Sequence, residues 1–322
     1  MSSGPIAVLG ECVADAVVTA AGNGPYDLTL RVLPGGGPAN TAVALARLGT
    51  PARFLGRLSG DRFGRLFADH LAASGTDLSM CVAAVEPSTL AVADIDAHGR
   101  ASYSFYAEGT ADWQWTPAEL DLGRLTGAIC LHTGSLALAR DPGGPLVEGF
   151  IAAARPHLTI CVDPNVRTGL VPAEVYRDRF PRWCALADIV KMSDEDLRFV
   201  LPGMSIAEAF DICHGYGARL VIVTRGETGA AASLDGTRIS VPAPFTLVAD
   251  TIGAGDAFTA ALLHNLSADA LLGSRLPEIP SDRLREALTF AAHVASLTCA
   301  SPGADPPWSR DLTPRALLPP SP

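Results

Sequence analysis

Residues 249–263 read ADTIGAGDAFTAALL. A turn of small residues, Gly253-Ala254-Gly255, leads straight into an aspartate and a long apolar run. A strand over FTLVA (245–249) is therefore expected to pass into a helix over DAFTAALLHNL (256–266). Amides at a helix start have no acceptor, and the aligned peptide dipoles place about half a positive charge there. Glycines let such a backbone approach a phosphate closely. Asp256 then has two readings, a plain helix cap or a base beside a phosphate cradle. The cap leaves Asp250 and the second glycine without a purpose. Phosphoryl transfer uses all of them, because the protein mainly positions groups while a carboxylate takes the attacking hydroxyl's proton. The common GxxxxGK[ST] phosphate loop is absent.

Working outward, LPGGGPANTAVALARLG (33–49) is the second glycine-led helix. Pro38 suits a first helical position, and Ala39, Ala42, Val43 and Ala46 form an i, i+3, i+4, i+7 stripe before Gly49 stops it. Asn40 falls on the first turn beside Gly35-Gly36-Gly37, which suits gripping a polyhydroxylated ligand; a plain glycine turn with Asn40 in solvent is the alternative. Apolar, β-rich runs at 6–10, 52–58, 127–133, 158–163, 188–192 and 219–224 alternate with helical patterns at 38–48, 62–74, 143–155, 173–185, 194–200 and 205–216. That alternation predicts βαβ units and a mainly parallel sheet covered on both faces. Two segments break the rhythm. Residues 12–33 alternate loosely, and 90–113 holds two strand-like runs around a turn, with period-two ASYSFY at 101–106. Together they are expected to form a small β flap that excludes water. The proline-rich tail 301–322 is expected to be irregular.

Bulk numbers narrow the function. The 322 residues are 48% hydrophobic and 18% charged, enough for a substantial core, and carry a formal net charge of −10. That charge argues against nucleic-acid or anionic-membrane binding. The N-terminus MSSGPIAVLGE lacks a secretory pattern, and no apolar run reaches membrane length. Seven cysteines without metal or disulfide spacing suit a cytosolic protein. A dinucleotide oxidoreductase is excluded because GECVAD, not GxGxxG, follows the first strand.

The two glycine-led stretches, GGGPANTAVALARLG and DTIGAGDAFTAALL, resemble the signature regions of the ribokinase-like (PfkB) carbohydrate kinases. The resemblance extends through GRLSGDRFGR (56–65), FYAEGTAD (105–112), LHTGSLAL (131–138), DPNVR (163–167), ADIVKMSDEDL (187–197), VTRGETGA (223–230) and ASPGA (300–304). It implies a ribokinase-like three-layer α/β/α sandwich with a mainly parallel central sheet, forming one kinase unit. A small β-sheet lid at about 12–34 and 88–113, often used for homodimerisation, is implied too. It implies that Asp256 is the catalytic base and that the amides of Gly253, Ala254, Gly255 and Asp256 stabilise the transferring phosphoryl group. Asp15, Gly36, Gly37, Asn40, Tyr106 and Arg167 would line the sugar pocket. ATP would lie against Lys191, Ser193, Thr224, Gly226, Gly229 and His293. Mg2+ would arrive with the nucleotide, and potassium would sit near the Asp250–Ile252 loop.

Departures from the family pattern are informative. Ser193 and Asp196 stand where Asn and Glu are usual near the magnesium, so Asp196 would reach the ion through a water. Ile252 replaces Thr, leaving only backbone oxygen for a monovalent ion, and His293 replaces Asn. Gly134, GGGPAN and DPNVR match fructokinase-like members. Ala107, where acid-sugar binders carry Arg, weakens 2-keto-3-deoxygluconate as substrate. A fructose-like ketose is the expected acceptor, with 2-keto-3-deoxygluconate or ribose as alternatives. An inactive sugar sensor is the alternative of another class, and the intact Gly253–Asp256 turn speaks against it.

Overall fold

The computed structural model describes residues 4–21, 27–95 and 101–312. Strand β1 (Ile6–Leu9) is followed by β2 (Val13–Ala21), β3 (Leu28–Gly35) and helix α1 (Gly37–Arg47). Then come β4 (Ala52–Leu55), β5 (Arg57–Ser59), α2 (Arg62–Ala73), β6 (Val82–Ala84), β7 (Thr89–Ile95) and β8 (Ala101–Tyr106). The chain continues through β9 (Cys130–Gly134), α3 (Ser135–Ala139), α4 (Gly143–Ala154), β10 (Thr159–Asp163), α5 (Ala173–Leu186), β11 (Ile189–Ser193) and α6 (Asp194–Val200). It ends with α7 (Ile206–Tyr216), β12 (Leu220–Thr224), β13 (Ala230–Leu234), β14 (Thr237–Val241), α8 (Ala254–Ala268) and α9 (Ser281–Cys299).

The main sheet has eight strands in the order β14-β13-β12-β11-β10-β9-β1-β4. From β12 to β4 all neighbours are parallel, and β13 and β14 add an antiparallel edge. Period-two side-chain alternation builds a core on each face. Ile6 and Val8 enter the core shared with α1, α2, α8 and α9, whereas Ala7 and Leu9 enter the one shared with α3 to α7. The result is the three-layer ribokinase-like sandwich.

A second sheet, order β3-β2-β7-β8, is built from the two segments that broke the βα rhythm. Residues 22–26, those of the turn expected within 96–100, and those of the tail expected to be irregular beyond 312 lie outside the described residues. Asp112 ties together the places where the chain crosses between sheets. One carboxylate oxygen accepts the Cys12 amide at 2.9 Å, and the other accepts the Thr89 hydroxyl at 2.6 Å.

Two sequence expectations need correction. Residues 245–249 form no strand, and Phe245 is 92% exposed. An apolar run needs a sheet edge to pair with, and Pro242 and Pro244 remove donors on its approach. Conversely, β13 and β14 went unpredicted because AAASL has little β character. Asp235-Gly236, both at positive φ, is the hairpin signal that marks them.

Candidate active site

The two glycine-led helices meet at the carboxyl end of the main sheet, where open α/β sheets place their ligands. Gly253 caps α8 with φ 77° and no side-chain bond, so the helix itself supplies no acceptor for its first-turn amides. Asp256 is not the cap. Its carboxylate reaches across to α1, where the Asn40 amide donates to Oδ2 at 2.9 Å. Burial pushes the Asp256 carboxyl above the usual carboxylate range, and Asp196 adds to this; the Asn40 bond and the charges of Lys191 and Arg167 oppose it. Asn40 is buried, not in solvent.

The three glycines before α1 leave room for specific neighbours. A β-carbon on Gly35 would lie 2.0 Å from Asp15 Oδ2, and one on Gly37 would lie 2.5 Å from Asn165 Nδ2 and 3.2 Å from Asp256 Oδ1. Gly36 has φ 104°, which a side chain would resist. Asp15, Gly36, Gly37, Asn40 and Asp256 are thus brought together. Asn165, held at φ 39° with its amide on Asp163 Oδ1 at 3.2 Å, joins them. It stands inside DPNVR, the signal by which it could have been found.

Burial pushes the Asp15 carboxyl up to about 6, and Arg167 opposes the shift. The Arg167 guanidinium is exposed, and no side-chain partner occurs for it among the described residues. Its backbone amide donates to the Tyr176 hydroxyl at 3.1 Å. Tyr106 is differently placed. Register aligns Asp15 with Ala91 and Ala91 with Phe105, which puts Phe105 on the face of Asp15 and Tyr106 on the opposite one. Phe105 also lies against Gly169, two residues past Arg167, while Tyr106 is 62% exposed. Phe105 therefore replaces Tyr106 as the aromatic residue facing the pocket.

Ser193 and Thr224 end adjacent strands in direct register. Gly226 is exposed at a turn nearby, whereas Gly229 is buried, and a β-carbon there would lie 2.1 Å from the Val241 carbonyl oxygen. Packing against β14 alone demands that glycine. His293 Nε2 is buried with no partner among the described residues, and burial pushes its imidazole pKa down, so it is a neutral ring with an open nitrogen. Lys191 is 3% exposed, and its ammonium donates to Asp163 Oδ2 at 2.7 Å. Burial pulls the ammonium pKa down, but Asp163, Asp256 and Asp196 together raise it above the ordinary lysine value. Burial pushes Asp163 up to about 6, so the pair is charged at neutral pH.

Asp196 is already engaged by three donors, which leaves a water-mediated contact as the way it would reach a metal. Its carboxylate accepts the Val166 amide at 2.7 Å, the Ser193 amide at 2.9 Å and the Ser193 hydroxyl at 2.7 Å. It closes the capping box of α6, whose cap is Ser193, and holds the loop leading to Arg167. Among the described residues no group of three His, Cys, Asp or Glu side chains could hold a metal ion. Asp250 bridges its own loop, accepting the Ile252 amide at 3.1 Å and the Gly303 amide at 2.9 Å.

A buried carboxylate set beside a helix start that no side chain caps is the equipment of an enzyme that moves a phosphoryl group onto a hydroxyl. The model of the pfkB family carbohydrate kinases matches residues 4–311, and the chain belongs to that family, whose members are phosphotransferases with an alcohol acceptor. A fructokinase from Rhizobium leguminosarum bv. trifolii is 38% identical over 244 residues, 75% of this chain and 74% of that protein. Among solved structures, a fructokinase from Xylella fastidiosa with bound ATP superposes with a TM-score of 0.82 at 25% identity, covering 94% of each chain. The fructokinase from Vibrio cholerae O395, with fructose, ADP and calcium ion bound, gives 0.78 at 28% identity over 94% of this chain and 95% of that one.

Proposed function

We propose that this kinase transfers the γ-phosphoryl group of ATP to a hydroxyl of a fructose-like ketose. The observation that carries the reading is the 2.9 Å bond from Asn40 to Asp256, which joins a sugar-side helix to the base. The likeness to fructokinases supports fructose in particular.

In this reading a sugar hydroxyl enters beside Asn40 and Asp256. Asp256 takes its proton as the oxygen attacks phosphorus, and the Asn40 bond fixes the carboxylate's orientation. The amides of Gly253 to Asp256 receive the charge that builds on the transferring group. Asp15 and Arg167 hold other hydroxyls, with Gly36 and Gly37 giving close backbone approach. Ser193, Thr224 and Gly226 line the nucleotide side, where the unpartnered nitrogen of His293 would serve the adenine. The second sheet serves as a lid over the sugar and as the surface of a homodimer. Mg2+ would neutralise phosphate charge, held by the phosphates and water because Asp163 and Asp196 are already engaged. Potassium would sit against the Asp250–Ile252 loop on backbone oxygens. Free thiols at the seven cysteines suit work in the cytoplasm.

The test is ADP release with MgATP across fructose, 2-keto-3-deoxygluconate, ribose, glucose and adenosine. Selective turnover of fructose is the expected result. Preference for another sugar would overturn the acceptor, and ATP binding with no turnover on any would favour the sensor. Exchanging potassium for sodium in the same assay tests the monovalent site, and sedimentation tests the dimer.

A further inference from the structure

Among the chain's 24 lysine and arginine residues a single lysine occurs, Lys191. Every other cationic position has been filled with arginine, yet this one has not. Its place explains the exception. Lys191 is the middle residue of β11; its buried ammonium bonds Asp163 at the end of β10, and an ideal β-carbon on Gly255 would lie 3.0 Å from Nζ. The lysine head thus fills the space against the second residue of α8. A guanidinium is larger and planar, and would press on the Gly255 backbone that the compact ammonium clears.

We propose that Lys191 is a positioning residue for phosphoryl transfer: anchored on Asp163, it is the fixed positive charge behind the anion-receiving turn and beside the base. This rests on the kinase reading above and deepens it. It also corrects the sequence expectation of Lys191 as an ATP contact, because a residue 3% exposed sits behind the turn, not on the nucleotide's surface.

The charges around it agree. Facing Lys191 are Asp163 and Cys161 from β10, Asp196 from α6, Asp256 from α8 and His132 from β9. His132 is neutral, pushed down to about 3 by burial and by Lys191. Arg167 acts on Asp256 from the loop after β10. Of the Asp163–Lys191 pair, the ammonium weighs more at Asp256, lowering the acidity threshold that burial raises. A charge with almost no water around it keeps its field, so it acts both on the base and on a phosphoryl group held at the Gly255 and Asp256 amides.

The double variant Asp163→Asn/Lys191→Met separates this role from mere ion pairing, since it leaves neither buried charge alone. On the sugar that the wild type turns over, kcat should fall about tenfold or more, and its acid limb should move up by about one pH unit. Both KM values should stay near wild type. A double variant with wild-type kcat and pH profile would show that Lys191 only neutralises Asp163, and would overturn the proposal without touching the kinase assignment. Should that variant not fold, the unmodified protein still decides. Because the chain has one lysine, 15Nζ/13Cε-lysine labelling gives a single side-chain signal. That signal should remain ammonium from pH 5 to 9, and should shift more with MgADP, aluminium fluoride and sugar than with MgADP alone. A signal that loses its proton near neutrality, or that ignores the phosphoryl mimic, overturns it.

Discussion

Gly37→Ala adds one methyl group at the first position of α1, and the site leaves it no room. The new carbon would stand 2.5 Å from Asn165 Nδ2 and 3.2 Å from Asp256 Oδ1. Ordinary carbon contacts need about 3.5 Å, so the first overlap is about 1 Å. The Asn165 backbone is pinned, since its main-chain amide bonds Asp163 Oδ1 at 3.2 Å and its φ is already 39°; its side-chain amide can turn away only by rotating, and the 3.2 Å contact with Asp256 Oδ1 remains. The start of α1 must move, and with it Asn40, which holds Asp256 at 2.9 Å. A misplacement of about 1 Å at a reacting centre can cost on the order of 10²-fold in rate. Stability should change far less: overpacking costs about 1–3 kcal/mol, and replacing glycine in a helix returns about 0.5–1 kcal/mol. Steady-state ADP formation and thermal melting, run side by side, read both effects. The expected outcome is kcat/KM for the sugar down about 10²-fold with the fold intact and KM for ATP little changed. A variant with wild-type kcat/KM and an unchanged melting temperature would refute the rigid junction between α1, α8 and the loop after β10.

Asp256→Asn should keep nucleotide binding while lowering kcat by roughly 10²–10⁴-fold, the range for losing a general base; comparable turnover would remove Asp256 from that role. Asn40→Ala should raise the sugar KM more than the ATP KM, and equal effects would mean that Asn40 only shapes the turn. In the wild type, the acid limb of kcat should lie above the ordinary aspartate range, because burial raises the Asp256 pKa. Stability has its own pH signature at Glu11, which is buried at the crossing from β1 to β2 and accepts the Ala137 amide at 3.3 Å. Burial raises its carboxyl from 4.5 to about 7, so between those values the folded chain binds more protons than the unfolded one and stability falls as pH rises. Glu11→Gln should therefore raise the melting temperature at pH 8 and leave it nearly unchanged at pH 4; equal shifts at both would contradict the assignment.

How much of this was legible in sequence depended on whether the deciding partner was local. The six expected strands of the main sheet were readable because burial on both faces gives continuous apolar runs, bounded by glycine or charge. Both glycine-led helices were readable for the same reason, since turn, first-turn residues and apolar stripe are neighbours in the chain. What failed were inferences at single positions that needed the residue opposite. FTLVA has strand composition but no edge to pair with, whereas AAASL has poor composition and an edge waiting. Phe105 and Tyr106 are adjacent and both aromatic; only the register through Ala91 to Asp15 decides which faces the pocket. Asp163 and Lys191 stand 28 residues apart, and the parallel pairing of β10 with β11 brings them to 2.7 Å. Asp196 was placed from its position in the family pattern; its three backbone and hydroxyl donors, set by the loop it closes, were not visible there. Lys191 is the instructive middle case. Its singularity is visible in the sequence as a number, and composition bias is the simplest account of such a number. Bias explains why the other cations are arginine; it does not explain the one that is not. The clearance at Gly255 does, because there the size of the cation, and not only its charge, is under constraint.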